Sequence, residues 1–311
     1  MSTQPQLEKF VFVAGRIESA SKAVFVAHYL PALQDKVYVA VVLIWESDQW
    51  QRLGKFPWQA VDIELDPAGP ARYWVLGRDG QIASMAGEAM SEDVLDRKRP
   101  LGPMRGLNLV ESDVFAVGMK RDVFRARGHA WRRFDKGMAF EIPKNADVET
   151  VMKKRLSDVG GINAVAGFSA LELYAVGVKG EMWQTVDDQW VKVDSPTNVM
   201  LTDATIVGEE VVACGLAGTV VRGRGASWRV VEYEGVQGLD FSSITSRGDE
   251  IYLADGHSLR LLRGTALELV NLAPDAVVPS SQLDARQRLV LSVAGQEVFM
   301  GTAADDWRSL L

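Results

Sequence analysis

The sequence predicts an all-β fold, a seven-bladed β-propeller built from four-stranded antiparallel blades. Three observations predict it. A strand-then-glycine pattern recurs along the chain, tryptophans follow it at a constant distance, and turn glycines divide each interval into short strands.

The pattern is clearest as Val114-Phe115-Ala116-Val117-Gly118, Leu173-Tyr174-Ala175-Val176-Gly177, Val211-Val212-Ala213-Cys214-Gly215 and Ile251-Tyr252-Leu253-Ala254-Asp255. Weaker copies begin at Val37, Tyr73 and Leu289, and five of the six intervals between starts fall between 36 and 41 residues. Trp131, Trp190, Trp228 and Trp307 each lie 17 or 18 residues after a start. Between motif and tryptophan, stretches such as Val176 to Trp183 and Cys214 to Val221 read as strand, glycine turn, strand. A further strand follows each tryptophan, and another, such as Asp203 to Val207, precedes each motif. One such sheet cannot bury both of its faces, whereas a ring of stacked sheets can. Seven starts therefore predict seven blades in a single domain over residues 1–311.

Taken in order, residues 1–30 hold two strands, Phe10 to Ala14 and Ala23 to Ala27. The second is expected as the innermost strand of blade one. The first is expected to complete the last blade beside Trp307 to Leu311 and so close the ring. In blade two, Gly87 to Gly106 breaks the pattern and reads as a solvated loop, with Arg97, Lys98 and Arg99 as a basic run. The interval from 114 to 173 is longer than the rest. Its excess, 141–161, carries apolar residues at Val148, Val151, Met152 and Leu156, which predicts a short amphipathic helix near 146–157. The periodic tryptophans read as blade packing. Trp45, Trp58, Trp74 and Trp183 fit the period less well, so one or two are expected to be exposed.

Here the residues resemble a known group, the bacterial-neuraminidase-repeat (Asp-box) propellers, and are similar to photosystem II assembly-factor-like ones. The carriers are Leu173 to Gly177 with Lys179-Gly180, then Thr185-Val186-Asp187-Asp188-Gln189-Trp190. Ser47-Asp48-Gln49-Trp50 and Gly225-Ala226-Ser227-Trp228 look like degenerate boxes, each shortened or lacking the box glycine. The resemblance implies the fold and leaves function open among glycosidases, assembly factors and binding modules.

Composition narrows the function classes. With 47% hydrophobic and 24% charged residues the chain is a globular protein. Its single cysteine, Cys214, excludes an internal disulfide and a multi-cysteine metal site, and reads as a buried small hydrophobe. His28, His129 and His257 share no ligand spacing. There is no P-loop, nucleophile elbow, zincin helix or EF-hand pattern, and no readable carboxylate or Arg/Tyr/Glu constellation for a glycosidase. No catalytic, cofactor-binding or metal-binding residue is therefore assigned. The free cysteine and the absence of a leader pattern together predict a cytoplasmic protein, and no apolar run reaches membrane length. A net charge of −7 argues against non-specific nucleic-acid binding.

Propeller topology puts the turns between second and third strands on one face, together with the blade-to-blade connections. Candidate partner-binding residues there are Arg78, Asp79, Arg97, Lys98, Arg99, Lys120, Arg121, Asp122, Lys179, Glu181 and His257. The functional expectation is a non-enzymatic, protein-binding propeller, monomeric until it meets its partner. The most concrete form is a bacterial immunity protein that neutralises a cognate toxin, a basic one given the acidic chain. The alternatives are an assembly factor, or a sialidase-like glycosidase or lyase with its site at the axis.

Overall fold

The computed structural model describes residues 5–311 apart from 70, 88, 99–100, 139–146, 150–159, 275 and 305. Among these residues the strands form seven four-stranded antiparallel sheets, each made of four strands consecutive in the chain. The blades cover 10–56, 60–94, 104–133, 162–193, 201–230, 243–270 and 282–309. Their first strands line the axis and pack in sequence, and the first strand of blade 1, Phe10–Ser19, also packs on blade 7.

The recurring motif is the second strand of blades 2 to 7, as in Asp113–Gly118, Glu172–Gly177 and Glu210–Gly215. This strand has a neighbour on each edge and a blade on each face. It therefore reads as a continuous apolar run rather than an alternating one. An acid opens it in four blades, and each acid accepts from an arginine. Arg125 Nε donates to Asp113 (2.6 Å), Arg222 Nε to Glu210 (2.6 Å) and Arg263 Nε to Glu250 (2.8 Å), while Arg224 Nε reaches from blade 5 to Glu172 (2.7 Å).

The periodic tryptophans stand on outer strands, and each leans on the preceding blade. Trp131 meets Trp74 edge-on at 5.3 Å, Trp228 meets Tyr174 at 5.6 Å, and Trp307 meets Tyr252 at 6.3 Å. Trp190 Nε1 donates to the Phe134 carbonyl (2.6 Å) and Trp50 Nε1 to the Leu310 carbonyl (2.8 Å). Such aromatic pairs contribute about 0.5–1.5 kcal/mol each beyond area burial. Trp45, Trp58, Trp74 and Trp183 are also buried, so the expectation that one or two would be exposed is corrected. The blade cores needed these large rings as well as the periodic ones.

Blade 1 departs from the sequence reading. Its second strand is Lys22–Tyr29, and Ala23 to Ala27 belongs to that strand, not to the innermost one. The start placed at Val37 lies in the connection before the third strand, Ala40–Glu46. Third and second strands here are equally apolar, so the pattern could not separate them. A short helix, Leu30–Gln34, lengthens the connection and breaks the period. In blade 2, residues Ala89–Val94 form the outer strand rather than a loop. All six of its residues are exposed, which removed the alternation that marks a strand. The helix expected near 146–157 lies outside the described residues except at 147–149.

Ring closure is the main correction. Among the described residues no N-terminal strand enters blade 7, whose four strands all come from 282–309. Instead, side chains of the innermost strands link each blade to the next. Arg16 of blade 1 donates to Asp62 (3.1 Å) and Glu64 (3.2 Å) of blade 2. Asp62 accepts from Leu107 N (2.8 Å), and Asn108 Oδ1 from Val165 N (2.9 Å). Asn163 donates to the Leu201 carbonyl (2.6 Å), and Asp203 accepts from Ile244 N (3.0 Å). Ser243 Oγ accepts from Leu283 N (3.2 Å), and Asp284 accepts from Ile17 N (2.7 Å). The girdle thus runs through all seven blades. The last seam gains Phe12 N to the Gly295 carbonyl (2.6 Å) and Gly15 N to Gln282 Oε1 (3.0 Å). An aromatic cluster of Phe12, Phe25 and Trp50 packs there with Leu291 and Leu310. With seam bonds and buried rings in place, strand exchange is not required.

Candidate partner-binding face and axial cavity

Strand direction gives the ring two unlike faces. The upper face carries the second-to-third turns and the blade-to-blade connections. The lower face carries the first-to-second and third-to-fourth turns.

The upper turns are stapled to the residues that lead into the first strands. Arg78 N donates to the Gln59 carbonyl (2.8 Å), Met119 N to Pro103 (3.0 Å), Val178 N to Gly161 (2.9 Å) and Leu216 N to Met200 (3.0 Å). Lys120 N reaches the next blade at the Gly160 carbonyl (2.9 Å), and Gly256 N does the same at Ser280 (2.7 Å). Equivalent turn positions are left-handed in three blades, at Lys120-Arg121, Lys179-Gly180 and Ala217-Gly218. A Cβ on Gly180 would meet the Thr197 carbonyl at 2.2 Å, so glycine is required there. The side chains displayed by these turns stand on a rigid frame.

The predicted residues divide into two groups. Arg78, Asp79, Arg97, Lys98, Lys120, Lys179 and His257 are exposed on the upper face. Arg97 pairs with Asp93 at 2.6 Å along the outer strand of blade 2. Arg99 lies outside the described residues. Arg121, Asp122 and Glu181 turn inward and bind within the chain. Arg121 Nε donates to Glu181 Oε2 (2.8 Å) across the junction of blades 3 and 4, and its guanidinium lies 5.9 Å from the Trp183 ring. Asp122 is buried and accepts from Gly102 N (3.0 Å) and from Arg133 (2.9 Å). Arg133 also donates to Asp96 and Asp135, both at 2.7 Å, and its bonds to the three acids hold its charge firmly against the opposing effect of burial. Turn sequence marks these three residues as polar without revealing that a neighbouring blade takes up Arg121 and Glu181, or that Arg133 and the connection before blade 3 take up Asp122.

Two residues that sequence reasoning missed stand out on the same face. Val37 and Tyr38 are exposed at the end of the blade 1 connection. Val37 N donates to the Ala32 carbonyl (2.9 Å) and Tyr29 N to the Val39 carbonyl (2.9 Å), which fixes the connection. The Tyr38 ring stands edge-on to His28 at 5.5 Å. Burial pushes His28 below its ordinary pKa, so the imidazole is neutral at pH 7. The signal for Val37 and Tyr38 was present, an apolar pair outside any strand, but the repeat reading absorbed it as strand.

The axial cavity of about 480 Å³ is lined by the first strands of all seven blades. Its acids are structural members of the girdle. Burial pushes Asp62, Asp203 and Asp284 above the ordinary carboxylate range and Glu64 up to about 7, against the opposing pull of Arg16. Asp62 and Glu64 hold Arg16 and backbone N–H groups, an arrangement that locks blades rather than presenting an acid and base to a substrate. Among the described residues, no group of three or more His, Cys, Asp or Glu side chains could hold a metal ion. Cys214 is fully buried, and burial pushes its thiol upward, so it is no nucleophile at neutral pH.

No family model matches the chain. The immune protein Tsi7 of Pseudomonas aeruginosa is 30% identical over 268 residues, which cover 82% of each chain. Among solved structures, the virginiamycin B lyase of Staphylococcus aureus superposes with a TM-score of 0.68 at 8% identity, covering 91% of this chain and 92% of that one. The WD40 propeller domain of Doa1 gives 0.66 at 13% identity, over 99% and 94% of the two chains. YCF48 bound to a D1 peptide gives 0.63 at 11% identity, over 94% and 91%. At these identities the solved structures bear on the fold alone.

Proposed function

From its membership of the family of the immune protein Tsi7, to which this chain belongs, we propose that it binds and neutralises a cognate protein toxin. The observation that carries this is the identity across most of both chains. The structure supports the same reading. It offers a stapled display face, and its buried acids are committed to closing the ring. The protein acts by binding and is not an enzyme. It does so in the cytoplasm as a monomer, and the net charge of −7 speeds long-range encounter with a basic toxin. The degenerate Asp-box relation is also our reading. It is supported by Ser47-Asp48, Asp187-Asp188 and Gly225-Ala226, all of which join third to fourth strands.

The test is co-expression of this chain with each protein encoded by the genes that flank its own, followed by calorimetry on the purified pair for a flanking protein that kills the host alone. Protection of the host cells and a one-to-one complex are expected. Cells that die as fast with the chain as without it, together with no heat of binding, would overturn the proposal.

A further inference from the structure

The two faces of the ring differ in what they expose. On the lower face the turn tips hold six exposed carboxylates, Asp48, Glu111, Asp187, Asp188, Glu209 and Asp249, against Arg288 and the half-exposed Arg72. The turn tips of the lower face are therefore acidic on balance. On the upper face, blades 2 to 4 expose Arg78, Lys98, Lys120 and Lys179, and no ion pair engages these four among the described residues. The upper face around blades 1 to 4 also exposes Asp35, Asp79, Asp147, Glu149 and Asp194, fewer than its exposed bases, whereas the connection between blades 5 and 6 exposes Glu232, Glu234 and Asp240 and no base.

Apolar exposure is polarised as well. Among the described residues, the large apolar side chains exposed in connections are Val37, Tyr38, Val148, Val236 and Val277 on the upper face and Leu171 on the lower. Tyr38 is the aromatic one. Its connection is fixed by backbone bonds and its ring by His28, so little conformational freedom remains to be lost when a partner covers it. Rigid aromatic anchors with charged flanks are what dominate protein interfaces. Blade 1 is next to blade 2, so the anchor adjoins the cationic arc.

Resting on the immunity reading above, we propose that the toxin docks on the upper face over blades 1 to 4. Val37 and Tyr38 enter an apolar pocket of the toxin, and Arg78, Lys98, Lys120 and Lys179 face carboxylates beside it. The docked toxin surface is therefore apolar and acidic, although the chain as a whole is acidic. Steering at long range follows net charge, whereas the docked patch follows local charge.

The experiment measures affinity for the purified toxin that the co-expression test identifies, using three variants. V37S/Y38A changes the anchor, K120E/K179E reverses the arc, and D187K/D188K alters the lower face. All substitutions are at exposed positions, and thermal melts check that each variant is folded. The proposal expects at least a thirtyfold loss for V37S/Y38A. It expects at least a tenfold loss for K120E/K179E, with a flatter salt dependence, and less than a threefold change for D187K/D188K. If wild type binds tightly, unchanged affinity in the first two variants overturns the docking face, as does a loss confined to D187K/D188K. If wild type itself does not bind, the immunity reading fails before the docking face is reached.

Discussion

Replacing Arg16 tests how the ring is closed. Its guanidinium is buried, with Nη2 at 3.1 Å from Asp62, Nε at 3.2 Å from Glu64 and Nη1 at 3.0 Å from the Gly15 carbonyl. R16M keeps the bulk and removes the charge, which leaves two carboxylates buried beside each other. Breaking one side of a buried ion pair costs about 3–5 kcal/mol. That is a large share of a typical total of about 5–15 kcal/mol. The triple variant R16M/D62N/E64Q removes all three charges, and the side-chain amide introduced by D62N keeps an acceptor for Leu107 N. It should recover most of the loss, since replacing a whole buried pair is close to neutral. Lower pH should also rescue R16M, because an unpaired carboxylate can then take up a proton. The assay is guanidinium unfolding at pH 7.5 and pH 5.5, compared at equal slope. A loss under about 1 kcal/mol for R16M, or a triple variant no more stable than the single one, would show that these contacts do not join blades 1 and 2.

Other outcomes follow from the same contacts. Burial raises the Glu64 pKa from 4.5 to about 7, so the folded state binds this proton more tightly than the unfolded chain. Its contribution should fall as pH rises from about 4.5 to about 7, by about 3 kcal/mol in total. His28, whose pKa burial lowers, acts with the opposite sign near its ordinary value, so the difference between wild type and E64Q isolates Glu64. Equal pH slopes in the two proteins would refute this. D284A leaves Ile17 N without its acceptor at the seam of blades 7 and 1 and should cost about 1–3 kcal/mol in chemical unfolding. Cys214, fully buried, should resist a thiol reagent at pH 8 until the protein unfolds; rapid native labelling would show that blade 5 opens.

Blade number and most strand positions were legible because the physics is local and repeats. A second strand enclosed on every side has to be apolar along its length, and Gly180 and Gly218 are left-handed where the turn demands it. The periodic tryptophans could be read as packing for the same reason, since each performs one task against the preceding blade. Blade 1 was misread because the second strand, Lys22–Tyr29, and the third, Ala40–Glu46, are alike in pattern, and only pairing partners tell them apart. The outer strand Ala89–Val94 escaped because, with no buried side, it carries no alternation.

The candidate site shows the same division. From sequence alone came the face, the turns and the exposed cations Arg78, Lys98, Lys120 and Lys179. Sequence could not separate them from Arg121, Asp122 and Glu181, which an adjacent blade or connection takes up. Nor could it show that Arg16 meets Asp62 and Glu64, or that Asp284 meets Ile17 from 267 residues away. Periodicity and turn chemistry determined that this chain forms a seven-bladed ring. Tertiary structure decided how the ring closes, which polar side chains remain available to a partner, and that Tyr38 stands exposed beside them. Those are contacts between residues far apart in the chain, and a local pattern does not encode them.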